Sequence, residues 1–210
     1  MELIGFVFLV VAAVVLRFIT SNPAFIGAAA EKRVQRILSS LPSNEYSVFH
    51  DIMIRRPDGN TTQIDHIIIS RFGIWVCETK NYHGHIYGKQ SEKYWTQRIG
   101  RQRHRLYNPI WQNRGHVSAL QEFLGYNVPD AIYGVLVFGD RVGLTIQSEE
   151  PVIRMRQLKR FITQFRAPKL SLFDMAAVAD QIRRNNITDK AERALHVKRV
   201  SGKKRARLWQ

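Results

Sequence analysis

Two short apolar runs carry charges that do not belong on a buried strand: Gln63-Ile64-Asp65-His66-Ile67-Ile68-Ile69 and Ile74-Trp75-Val76-Cys77-Glu78-Thr79-Lys80. An aspartate, a spacer and then Glu-x-Lys is the skeleton of metal-dependent phosphodiester cleavage. Two carboxylates can hold Mg²⁺ (or Mn²⁺), a hard cation that wants oxygen ligands. The ion polarises the phosphate and eases formation of hydroxide. A lysine beside it can orient the attacking water or offset charge growing on the phosphorane. The bare spacing is expected by accident roughly once in a chain of this size, so the elements that carry it decide its meaning.

Both runs are rich in β-branched and aromatic residues and are broken by Gly73, which predicts neighbouring strands of a hairpin. Side chains at i and i+2 share a strand face. Val76, Glu78 and Lys80 therefore project together, and Asp65 lines up with Ile67 and Ile69. In register, the hairpin brings two carboxylates and an ammonium to one patch of sheet. Burying such charge without compensation is costly, and a divalent cation bridging the carboxylates would explain it. His66 points away from Asp65, as a core histidine, and Cys77 away from Glu78, as a small core residue. His83-x-His85 lacks a third metal ligand, and Trp75, Trp95 and Trp111 read as core.

Around the two strands the pattern is α/β. Val34, Ile37, Leu38 and Leu41 recur at helical spacing. They predict a helix from about Ala24 to Ser40, with Glu31 on its inward face. Tyr46 to Ile54 reads as a first strand and Pro57-Asp58-Gly59-Asn60 as a turn. A smaller hairpin follows, His85-Ile86-Tyr87 with Tyr94-Trp95-Thr96. The basic segment after it, through Arg98, Arg101, Arg103 and Arg105, is the best phosphate-binding candidate outside the core. Asn108-Pro109, an N-cap and a first-turn proline, opens a helix to about Leu124. Val117, Leu120 and Leu124 form its apolar side, while Gln112 and His116 share a stripe. Ile132 to Phe138 is a buried-type strand and Pro151 to Ile153 a short one. Helical patterns near Met155–Phe165, Ser171–Arg184 and Asp189–Val197 close the chain, with Ser171 and Asp174 as a capping box and Thr188 as the last cap.

The 210 residues carry 32 Lys and Arg against 17 Asp and Glu, a net charge of +15. That points to nucleic acid or anionic lipid as partner and says nothing about fold. A single cysteine, Cys77, excludes a disulfide within the chain and a cysteine-based zinc site, and suits a reducing compartment. Leu3 to Ile19 is apolar apart from Arg17. As a helix it would rise about 25 Å, at the short end for a membrane span. The charges after it are Arg17, Lys32, Arg33 and Arg36. By the positive-inside rule they predict a single-pass cell-membrane protein with its N-terminus outside and its main domain cytoplasmic. The expected organisation is an anchor over residues 1–20, one domain over 24–197, and a basic, disordered tail over 198–210 that could meet anionic lipid or nucleic acid.

The set Gly27-x-x-x-Glu31-x-x-Val34, Gln63-Ile64-Asp65-His66, Glu78-Thr79-Lys80-Asn81-Tyr82 with Gly84, Trp95, and Asn108-Pro109-x-x-Gln112 with His116 resembles the nuclease-related domain (NERD) family. That family belongs to the PD-(D/E)XK restriction-endonuclease-like folds. The resemblance runs from about Gly27 to Leu124 and more loosely to about Val200. It implies a mixed central sheet flanked by helices, Asp65 and Glu78 as metal ligands, and Lys80 as catalytic lysine. It also implies Glu31 as accessory acid and Gln112 as a polar residue from the later helix. Ala30 stands where the family commonly has glycine, and Ile64 where the name-giving proline of the wider fold would be. The expected activity is metal-dependent hydrolysis of DNA, with RNA as the alternative. Two rivals are an inactive nucleic-acid-binding module at the membrane and a basic membrane-surface interaction protein.

Overall fold

Residues 23–125 and 131–208 are described by a computed structural model. The candidate span Leu3 to Ile19 lies outside the described residues. Among those described, no helix is long and apolar enough to cross a membrane.

The isoleucine run is the middle of a sheet. Strand β2 (Thr61–Ser70) pairs antiparallel with β1 (Tyr46–Arg55) on one side and with β3 (Gly73–Lys80) on the other. Strand β3 then pairs in parallel with β7 (Ile132–Phe138), and β7 in parallel with the short β9 (Val152–Arg154). This first sheet is mixed, in the order β1-β2-β3-β7-β9. A second mixed sheet has the order β6-β5-β4-β8, from β4 (His85–Lys89), β5 (Tyr94–Ile99), β6 (Gln102–Tyr107) and β8 (Gly143–Gln147). The parallel pairings β3–β7 and β4–β8 share one offset. Ile74 lies opposite Ile132 and His85 opposite Gly143, 58 positions apart in each case.

Five α-helices complete the described fold: α1 (Pro23–Leu38), α2 (Pro109–Leu124), α3 (Leu158–Thr163), α4 (Leu172–Asn185) and α5 (Lys190–Leu208). Helices α2 and α4 cover one face of the first sheet, packing Leu120, Leu124, Val178 and Ile182 on Ile67, Ile69 and Val76. Helices α1 and α3 cover the other, packing Val34, Leu38, Leu158 and Ile162 on Ile68, Trp75 and Cys77. Each fully buried isoleucine contributes about 1.5–3 kcal/mol relative to exposure, so this two-sided burial fixes the register of the isoleucine run. A third cluster joins the sheets, with Ile86 and Trp95 of the second against Leu136 and Phe138 of the first and Ile110 of α2.

The structure departs from the sequence reading in five features of its elements. Strict alternation fails along β2: Ile67 and Ile69 face α2 from odd positions, whereas Ile64 and Thr62 do so from even ones. β1 inverts with it, between Phe49 and Ile52. The pivot is the pair Asp51 and Asp65, skipped by the ladder between His50–His66 and Ile52–Ile64. Asp51 has φ +53°, a left-handed conformation that Asp tolerates better than most residues. Second, the basic segment is a hairpin rather than a loop. Third, β8 was not foreseen. Fourth, Asp189 rather than Thr188 caps α5, accepting from the Glu192 amide at 2.8 Å. Fifth, α5 runs on to Leu208, through most of the segment expected to be disordered. Lysine, arginine, alanine and leucine favour helix there.

Candidate active site

Asp65 and Glu78 arrive from adjacent strands. The β2–β3 ladder ends at His66–Cys77, and the next pair in that register would be Asp65 and Glu78. There the Thr79 amide donates instead to the Asp65 carboxylate, at 2.9 Å from Oδ2. Pairing to β1 is interrupted at the same residue, so Asp65 stands in a gap in both ladders. Asp51 turns elsewhere, accepting from Gln63 Nε2 at 2.6 Å and from Arg193.

Glu78 is 3 % exposed and is held by Lys80 of its own strand and by Gln112 and His116 of α2. Lys80 Nζ donates to Glu78 Oε1 at 2.5 Å and to Gln112 Oε1 at 3.1 Å. Gln112 Nε2 donates to the same Glu78 oxygen at 2.7 Å. His116, one turn along α2, places Nε2 3.4 Å from Glu78 Oε2, and its Nδ1 meets Thr62 Oγ1 at 2.9 Å. Burial alone would raise the Glu78 carboxyl, but the Lys80 ammonium and then the His116 ring outweigh it and hold it below the usual range. For Lys80 burial works the other way, and the Glu78 charge overcomes it, keeping the amine protonated. A lysine held in that state acts as a cation, not as a base.

Asp65 behaves differently. Burial, then the neighbouring Glu78 charge, push its carboxyl up to about 7 against the pull of the Thr79 amide and Lys80. The cluster thus disfavours a second anion, a condition that a cation would relieve. Among the described residues, no group of three or more His, Cys, Asp and Glu side chains is arranged to hold a metal ion. A cation here would be held by Asp65 and Glu78 alone. That fits Mg²⁺, which binds through one or two carboxylates and keeps water and substrate oxygens for the rest of its shell.

Glu31 is exposed, not inward-facing. Helix α1 buries Ala30, Val34 and Leu38 on the sheet face opposite the α2 layer, which leaves Glu31 at the flank of that contact. Partial desolvation and then the charges of Asp51 and Glu78 still raise its carboxyl, with Lys80 opposing, so it belongs to the electrostatic rim of the cluster. His66 is buried on the α1 side, with Nδ1 2.9 Å from His50 Nδ1 and Nε2 unpartnered. Burial and then His50 lower it to about 3.

Helix α2 is aimed by buried amides. Asn108 caps it by accepting from the Ile110 amide at 2.9 Å, and its Nδ2 donates to the carbonyls of Lys89, Gln90 and Glu92 in the β4–β5 turn. Asn113 Nδ2 donates to Val76 and Val135 carbonyls at 3.1 and 3.4 Å, fixing the helix over β3 and β7. Gly134 makes the room, since a Cβ there would sit 2.9 Å from Asn113 Nδ2. Gln112 and His116 therefore point at Glu78. His116 shares Gln112's helical stripe, and that stripe was the sequence signal for its place in the cluster.

The arginines lie apart from the carboxylates. Arg98 is on β5, Arg103 and Arg105 on β6, and Arg101 in the Gly100–Arg101 turn between them; all four are exposed. The sheet that carries them begins at His85, five residues after Lys80.

The profile of the nuclease-related domain, NERD, matches residues 26–139. An uncharacterized protein of Bacillus anthracis is 34 % identical over 185 residues, covering 86 % of each chain. A crystal structure of a protein of unknown function aligns over 80 % of this chain and 95 % of its own, at 11 % identity and a TM-score of 0.33, too low to bear on the fold.

Proposed function

Since the chain belongs to the nuclease-related domain family, we propose that it is a metal-dependent nuclease of restriction-endonuclease-like fold, hydrolysing phosphodiester bonds of DNA or, alternatively, RNA. The observation that carries this reading is the convergence of Asp65, Glu78 and Lys80 at one break in the sheet, with the Asp65 carboxyl raised by its neighbour's charge. Asp65 and Glu78 would hold Mg²⁺ or Mn²⁺. When bound, the ion would act as a Lewis acid on the scissile phosphate.

The chain's own residues supply the rest. Lys80, protonated and fixed between Glu78 and Gln112, sets a positive charge where negative charge grows on the phosphorane. Gln112 and His116 hold the Glu78 carboxylate in one orientation, and Thr79 does the same for Asp65. Glu31 at the rim adds negative charge that helps to raise the Asp65 carboxyl. Arg98, Arg101, Arg103 and Arg105 would take phosphates of the bound nucleic acid. The apolar segment 3–19 would anchor the chain in the membrane and leave the nuclease domain in the cytoplasm.

The test is cleavage of labelled single- and double-stranded DNA and RNA by the full chain in mild detergent, with Mg²⁺, Mn²⁺ or EDTA. Cleavage that needs the metal and falls at least a hundredfold in Glu78→Gln and Lys80→Met is the expected result. Binding without cleavage of any substrate would instead make the chain an inactive nucleic-acid-binding module. Retention of the protein in membranes through an alkaline carbonate wash is expected of the anchor, and release would remove it.

A further inference from the structure

The second sheet has two unlike faces. Ile86, Trp95 and Leu106 point inward and pack against the first sheet and α2. The register puts a different set outward. Arg98 lies opposite both Arg103 and His85, and Thr96 lies opposite both Arg105 and Tyr87. Tyr87, Arg98, Arg103 and Arg105 are all exposed on that side. None of the four strands contains an aspartate or glutamate.

Two flat stacks lie among these cations. The Arg105 guanidinium sits 3.6 Å from the centroid of the Tyr94 ring. The His85 and Tyr87 rings stack with centroids 4.3 Å apart and planes at 21°, and Tyr87 remains 39 % exposed. Aromatic and guanidinium planes bind bases by stacking, and free arginines bind the phosphates between them. A duplex offers only the second kind of contact, because its bases are already stacked on one another.

We infer that the outer face of the second sheet is a docking surface for single-stranded nucleic acid. The inference rests on the nuclease reading and adds to it the strandedness of the substrate. His85 is five residues from Lys80, so at most about 18 Å of extended chain separates the first strand of this sheet from the catalytic lysine proposed above.

The experiment measures binding of the full chain to labelled single-stranded DNA, single-stranded RNA and a duplex of the same sequence by fluorescence anisotropy in EDTA, where no cleavage occurs. Single strands should bind at least tenfold more tightly than the duplex. Tyr87→Ala should weaken single-strand binding roughly tenfold and leave duplex binding unchanged. Tyr87→Phe, which keeps the ring, should bind like the parent and shows that the site tolerates change. Equal affinity for duplex and single strand would overturn the inference. So would an unaffected Tyr87→Ala of normal melting temperature, or an Arg98→Gln/Arg103→Gln variant that loses binding to anionic vesicles but not to oligonucleotides. Cleavage with Mg²⁺ is scored separately. If it persists while the binding pattern fails, the docking surface falls and the carboxylate site stands; if the pattern holds without cleavage, the reverse is true.

Discussion

Glu78 is an anion almost sealed from water, and its neighbours make that tolerable. Lys80 is 16 % exposed and touches it directly, so removing the lysine strands a buried charge. Lys80→Met should destabilise the metal-free protein by about 3–5 kcal/mol, while Glu78→Gln/Lys80→Met should cost far less than the two single changes summed. Denaturant unfolding in EDTA checks this; simple additivity would mean the pair is not coupled. Asp65 gives the opposite sign. Its carboxyl ionises near 7 in the fold against an ordinary 3.8, so between those values the native state holds a proton that the unfolded chain has lost. Its contribution is full below about 4 and declines as pH rises through 7. A bound cation needs the carboxylate and must expel that proton. The Mg²⁺-induced rise in melting temperature should therefore be larger at pH 8 than at pH 6, and should vanish in Asp65→Asn. At this scale the sequence was legible where period-two spacing governs, in Val76, Glu78 and Lys80. It was not legible at Asp51, whose left-handed backbone turns the two strands over, since Asp is a residue of many uses. Glu31 was misplaced because helical periodicity defines a stripe without saying which side of a sheet it covers.

Among the elements, α2 was the best read, since its cap chemistry is local: Asn108 and Pro109 start it, and Val117, Leu120 and Leu124 make its buried side. Strand β8 was invisible because Gly143–Gln147 is short and forms only by parallel pairing with β4, a partner more than fifty residues away. The β5–β6 hairpin was hidden for another reason, its outward side being charged where a strand pattern is sought in apolar residues. Gly84 is the pin between the two sheets. It has φ +76°, and a Cβ there would lie 2.0 Å from the Arg98 carbonyl oxygen. Gly84→Ala adds about 1–2 kcal/mol of left-handed strain to that collision, so the second sheet should loosen first. Hydrogen exchange should show faster amides in β4 and β5 with those of β2 and β3 unchanged; uniform acceleration throughout would show that the sheets melt as one unit.

Taken whole, the molecule carries its acidic cluster on the first sheet and its exposed arginines on the second. Composition gave the net charge but not its distribution, because pairing register decides which arginines of β5 and β6 face out together. Helix α5 adds to the basic character while being fastened to the first sheet: Arg199 donates to Asn60 Oδ1 and the Thr61 carbonyl, and His196 meets Thr61 Oγ1 at 2.8 Å. The common offset of the two parallel pairings also constrains how such a chain can change. The connections Asn81–Gly84 and Gly139–Val142 run side by side, stitched by the Gly139 amide on the Lys80 carbonyl and the Gly143 amide on that of Gly84. They behave like the two rails of one track: lengthening a single rail throws every later tie out of step, whereas equal additions to both keep the gauge. Insertions and deletions at this junction should therefore survive only as matched pairs.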